Sequence, residues 1–102
     1  MAKYVFAYHG GKMPVSETES KKVMAAWNEW FKSLGPAVID GGNPVSKSTT
    51  VSADGVVDDG GANPLSGYSL IEADNLQSAI QLAQTCPIVD HGSVEIAEAV
   101  TM

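Results

Sequence analysis

The stretch Ser16-Glu17-Thr18-Glu19-Ser20-Lys21-Lys22-Val23-Met24-Ala25-Ala26-Trp27-Asn28-Glu29-Trp30-Phe31-Lys32-Ser33-Leu34-Gly35-Pro36 reads as one amphipathic helix with both ends marked. Ser16 and Glu19 have the spacing of a capping box, in which the hydroxyl accepts a backbone N–H and the carboxylate reaches back to the cap. Val23, Met24, Trp27, Trp30, Phe31 and Leu34 recur at three- and four-residue steps, a broad apolar stripe that must face something. Gly35-Pro36 stops the helix, because glycine accepts the conformation of a C-terminal cap and proline cannot continue the turn.

Upstream, Lys3 to His9 is rich in aromatic and β-branched residues and halts at Gly10-Gly11, so it is a strand. Tyr4, Phe6 and Tyr8 point to one face, and Val5, Ala7 and His9 to the other. Both faces are largely apolar, so helices can cover one and a partner subunit is the simplest cover for the second. Downstream, Ala37–Asp40 is a short strand closed by Gly41-Gly42-Asn43-Pro44. From Ser48 to Val57, Thr49-Thr50-Val51 meets Val56-Val57 across Ala53-Asp54-Gly55, a hairpin favoured by the Asp-Gly step. Asp58–Ser66 is loop. Gly67–Ala73 is the next strand, Asp74 caps a second helix with Leu76, Ala79, Ile80 and Ala83 inward, Pro87 ends it, and Gly92–Val100 is the last strand. The order is an α+β domain of the ferredoxin-like βαββαβ kind, with a β-hairpin insertion and an antiparallel sheet, spanning residues 1–102 as a single domain.

Composition bounds what such a domain can do. At 102 residues it buries only about 60–70% of the surface of its unfolded chain, so association with a second copy is an expected remedy. Twelve acidic against six basic side chains leave a net charge of −6, and Lys21-Lys22 is the one adjacent basic pair, which excludes a nucleic-acid partner and disfavours an anionic membrane. No stretch approaches the roughly 18 apolar residues of a membrane span, and no separate leader is read before the first strand. Cys86 is the single cysteine and cannot form an internal disulfide. With His9 and His91 as the remaining strong ligands, a zinc site would need carboxylates. The expectations are a cytoplasmic protein with no metal and no cofactor.

Seven positions and their neighbours carry what chemistry there is. His9 ends the first strand beside two glycines that allow close approach, and imidazole titrates near neutrality, which suits it to act as a base. Asp40 ends the second strand; it either orients His9 or hydrogen-bonds its own Gly-Gly turn. Trp27 and Trp30 either line an apolar pocket or fill the core, and Tyr8 and Tyr68 share that alternative, each with a hydroxyl to satisfy. His91, with Asp90, sits at the rim before the last strand. The glycine clusters lack the spacing of a phosphate loop, and Cys86 at a helix C-terminus has a raised rather than lowered thiol pKa.

Gly67-Tyr68-Ser69-Leu70-Ile71-Glu72-Ala73-Asp74-Asn75-Leu76, then Ala79, Ala83, Cys86-Pro87 and Gly92-Ser93-Val94-Glu95-Ile96, resemble the YCII-related (DGPF-type) family. The likeness is specific in residues from Gly67 to Ile96 and extends in layout over nearly the whole chain. It implies a ferredoxin-like domain that pairs through its sheets into a dimeric α+β barrel, a superfamily that includes cofactor-free oxygenases and lactone isomerases. The better-studied branch has a proposed His–Asp pair with its histidine on the first helix; that position falls at Met24 here, and Asp59-Gly60-Gly61 stands without the Pro-Phe of the family motif. Two functions follow as expectations. One is a cofactor-free acid–base enzyme acting on a small organic substrate, with His9 as base and Asp40 as its orienter. The alternative is a non-catalytic dimeric module that binds a ligand or docks beside other proteins.

Overall fold

The computed structural model describes residues 1–11 and 14–102. Six strands and two helices follow in the order β1 (Ala2–Gly10), α1 (Glu17–Leu34), β2 (Val38–Asp40), β3 (Thr50–Ser52), β4 (Gly55–Val57), β5 (Leu65–Ala73), α2 (Leu76–Gln84) and β6 (Gly92–Ala99), with single 3-10 turns at Gly35–Ala37 and Pro87–Asp90. Four strands form one antiparallel sheet in the order β2-β5-β1-β6, and β3-β4 form a separate two-stranded ribbon. That order is compatible with the ferredoxin-like plan.

The helix ends obey the local signals, with one shift. Ser16 is extended, and its Oγ accepts the Glu19 N–H at 3.1 Å. Gly35 at φ 57 closes α1, its N–H returning to the Phe31 carbonyl. For α2 the cap is Asn75, whose Oδ1 accepts the Ser78 N–H at 2.9 Å, and not Asp74 as expected from the sequence. Strand β5 begins at Leu65, two residues before the expected Gly67, because Val45 N–H bonds the Ser66 carbonyl and Tyr68 N–H bonds the Asn43 carbonyl, holding that segment extended.

Alternation along β1 sorts the two faces. Tyr4, Phe6 and Tyr8 are buried together with Trp30, Leu34, Ile71, Ala73, Ala79, Ala83 and Cys86, forming the core beneath both helices. Trp30 ties the helices together, its Nε1–H shared between the Leu82 carbonyl (3.2 Å) and Thr85 Oγ1 (3.1 Å). On the other face Leu70 is partly exposed, and Val5, Ile39, Tyr68 and Ala97 are exposed. The domain measures 44 × 42 × 18 Å, a plate about as thick as one sheet and one helix layer, so among the described residues no second layer covers that face apart from the Asn63–Pro64 segment over its His9 end. The hairpin β3–β4 is exposed throughout, fastened at its base by Lys47 Nζ to Asp58 Oδ2 at 2.9 Å and Thr50 Oγ1 to the Asp59 carbonyl at 2.6 Å.

One expectation about α1 fails in an informative way. Only Trp30 and Leu34 of its stripe are buried; Trp27 and Phe31 are half-buried, and Val23 and Met24 are exposed. The C-terminal half of the helix lies on the sheet. Its N-terminal half overhangs a cavity.

Candidate functional site

The cavity has a volume of about 420 Å³. From α1 come Val23, Met24, Trp27, Asn28 and Phe31, and from the sheet end come Tyr8, the segment Gly41–Pro44, Ser66–Tyr68 and Ile88. Local sequence explains its walls. The apolar stripe of α1 supplies side chains on one side, while Gly41, Gly42 and Gly67 supply bare backbone on the other. Gly42 is held at φ 70, and a Cβ there would overlap the Tyr68 carbonyl, so only glycine permits that approach. A bulge between Tyr8 and His9, where Tyr8 faces Gly67 but His9 faces Leu65, turns Ser66 toward the cavity rim.

The aromatic wall is a connected cluster. Trp27 meets Tyr8 edge-on with ring centroids 5.0 Å apart, meets Trp30 edge-on at 5.7 Å, and leans on Phe31 at 5.8 Å. These are favourable arrangements of ring quadrupoles and hold Trp27 in place although part of it is uncovered. Tyr8 is pinned at its far end: its hydroxyl donates to Ser69 Oγ at 2.7 Å, and Ser69 in turn donates to the Gly41 carbonyl at 2.7 Å. Burial pushes the Tyr8 phenol well above its ordinary pKa, the Ser69 bond opposing in part, so Tyr8 stays a neutral donor. Burial likewise pushes the Cys86 thiol up to about 11, against the opposing Ile88 N–H bond, which leaves it an inert core group.

Of the residues singled out from the sequence, Tyr8, Trp27 and Tyr68 converge on this cavity and the others do not. Trp30 belongs to the core, where its indole N–H is satisfied by the two acceptors on and beyond α2. His91 is exposed at the end of the turn before β6. Asp40 takes the turn reading: its Oδ1 accepts the Gly42 N–H at 2.8 Å. It cannot orient His9. Asp40 faces Leu70 across one side of β5 and His9 faces Leu65 across the other, positions roughly 16 Å apart along that strand.

His9 has a different partner. It projects from the face of β1 opposite Tyr8, away from the cavity, and its Nε2 lies 2.8 Å from Glu95 Oε1 on β6. Its Nδ1 lies 3.0 Å from the Asn63 carbonyl and 3.1 Å from the Pro64 carbonyl. Carbonyl oxygens only accept, so Nδ1 donates; a carboxylate also accepts, so Nε2 donates as well. Both conditions are met together by the imidazolium. Burial lowers the His9 pKa, but the Glu95 bond and the two carbonyl bonds outweigh it and the net shift is upward. The group thus fastens the end of the hairpin excursion to β6, and no nitrogen is left free to take a proton from a substrate.

Glu95 was missed as a partner of His9, although a signal for it exists. The last strand of this plan lies beside the first, and pairing Gly10 with Gly92 sets Ala7 opposite Glu95 with His9 on the adjacent diagonal. Among the described residues no group of three or more His, Cys, Asp and Glu is placed to hold a metal ion, and no helix is long and apolar enough to cross a membrane. A scan against models of protein families matches none, and no curated protein matches this chain.

Proposed function

We propose that this protein is a small dimeric, YCII-like domain that binds a small organic molecule in the cleft between α1 and the sheet, without transforming it. The observation that carries the reading is the 420 Å³ cavity, which is within the range of about 300–1,000 Å³ usual for ligand sites and has mostly apolar walls with few polar groups. The described lining residues include no His, Asp, Glu, Lys or Arg. The imidazole that would serve an acid–base mechanism is on the opposite face of the sheet with both nitrogens engaged. Cavity and base are separated by the thickness of β1, and general-base chemistry requires hydrogen-bond reach or one intervening water.

Dimerisation is the second part of the proposal. The bare sheet face, with Val5, Ile39, Tyr68, Leu70 and Ala97, suits burial against the same face of another copy, the sheet-to-sheet pairing of a dimeric α+β barrel. A cytoplasmic setting accords with the free buried thiol.

The test is a thermal-shift screen of small organic compounds followed by mass spectrometry of the bound fraction. A ligand recovered unchanged, held equally by His9→Ala and lost by Met24→Trp, whose larger side chain fills the exposed mouth, is the expected outcome. Conversion of the ligand that disappears in His9→Ala would overturn it in favour of the acid–base enzyme.

A further inference from the structure

We infer that the cleft selects a neutral, flat aromatic molecule and rejects an anion of the same size. This rests on the reading of the cleft as a ligand site and adds its chemical class. The first observation is the make-up of the walls. Trp27 and Phe31 present ring carbon from α1, and the Tyr8 ring faces them from the sheet beside backbone without side chains at Gly42 and Gly67. The cleft is walled by ring carbon from both elements. A planar aromatic molecule meets such walls with contact over a whole face, whereas a flexible chain of equal carbon count meets them poorly and loses more rotamer freedom on entry.

The second observation is electrostatic. The polar groups on side chains described at the lining are the amides of Asn28 and Asn43, the Trp27 indole N–H and the hydroxyls of Ser66, Tyr8 and Tyr68, with no carboxylate, amine or guanidinium among them. Tyr8 has its hydroxyl committed to Ser69 and its phenol pKa raised by burial, so it offers the ligand a ring rather than a charge. The Gly42 N–H is not open to an anion, because it already donates to Asp40 Oδ1. An anionic ligand would surrender its hydration without an ion pair to replace it, in a protein whose net charge is −6. Neutral amide and hydroxyl groups can hydrogen-bond one polar substituent at the rim and thereby fix the orientation of the ring.

Met24 offers a handle on this selectivity. It is 65% exposed at the cleft mouth, so its substitution can change the charge of the site without disturbing the core. The experiment compares naphthol, naphthoate and decanol as probes by calorimetric titration, with the Trp27 indole resonance reporting occupancy, in the native protein and in Met24→Lys. Naphthol should bind and shift the Trp27 signal, with naphthoate and decanol each weaker by about tenfold or more. Met24→Lys should erase or reverse the preference over naphthoate while leaving decanol weak. Naphthoate binding the native protein as tightly as naphthol, or decanol matching naphthol, would overturn the class while the cleft remained a ligand site. Binding of naphthol that leaves the Trp27 resonance unmoved would place the molecule elsewhere and overturn the aromatic site. Failure of all three probes, together with no hit in the broader screen, would remove the ligand-site reading itself.

Discussion

Replacing Ser69 by alanine removes the middle link of a chain that runs from the Tyr8 ring to the loop lining the cleft. Ser69 is 1% exposed, accepts from the Tyr8 hydroxyl and donates to the Gly41 carbonyl, each at 2.7 Å. The substitution leaves the buried Tyr8 O–H without an acceptor, and stranding a buried polar group costs about 1–3 kcal/mol; the Gly41 carbonyl is half-buried and can turn to water. We expect a loss of about 2 kcal/mol. Tyr8→Phe removes one bond but lets Ser69 keep Gly41, so it should cost about 1 kcal/mol. In the double variant no phenol remains to be stranded, and the combined loss should be about 1 kcal/mol rather than about 3. Urea unfolding followed by tryptophan fluorescence measures all three, and with a slope near 1 kcal/mol per molar the Ser69→Ala midpoint should fall by about 2 M. Additive losses in the double variant would refute the reasoning, because independent contributions mean that Tyr8 and Ser69 do not depend on each other.

The His9 clasp has a signed pH dependence. Its folded pKa lies above the usual histidine value, so its stabilisation is fully present below about 6.5 and is lost as pH rises through the folded value. Glu95 is 68% exposed in its side chain, so the contribution is under about 1 kcal/mol. The stability difference between the native protein and Glu95→Gln should therefore shrink from pH 6 to pH 9 in parallel with the NMR titration of the His9 ring, and a flat difference would remove the clasp. On the open sheet face, where Val5 is 39% exposed, Val5→Lys should convert a species of about twice 10.7 kDa to one of that mass in light scattering and lower the unfolding midpoint toward that of the separate subunit. A native protein that already scatters as a monomer at micromolar concentration would refute the sheet-to-sheet pairing.

Much of this architecture is legible in order along the chain, because its causes are local. The helix ends at Ser16 and Gly35 depend on groups within four residues, and the alternation from Tyr4 to His9 follows from the pleat of one strand. Gly41, Gly42 and Gly67 read along the chain only as a strand end and a strand start, and nothing local marks the close approach that the fold makes between Gly42 and Tyr68. The second cap moved by one residue because Asp74 and Asn75 are both capable acceptors, and which is used depends on how β5 delivers the chain into α2.

What the sequence by itself determined, then, is two capped helices, a strand with two apolar faces, and the plan into which they fit. Only the tertiary structure decided the site. His9 and Glu95 are 86 residues apart and meet through the register of β1 on β6, which no local pattern encodes, while Asp40, closer in sequence, is carried to the far side of β5. The apolar stripe of α1 was plain from spacing alone. That its Trp30 end would sink into the core and its Met24 end would stand over a cavity depends on where the helix meets the sheet, and that is set by packing among residues from both ends of the chain.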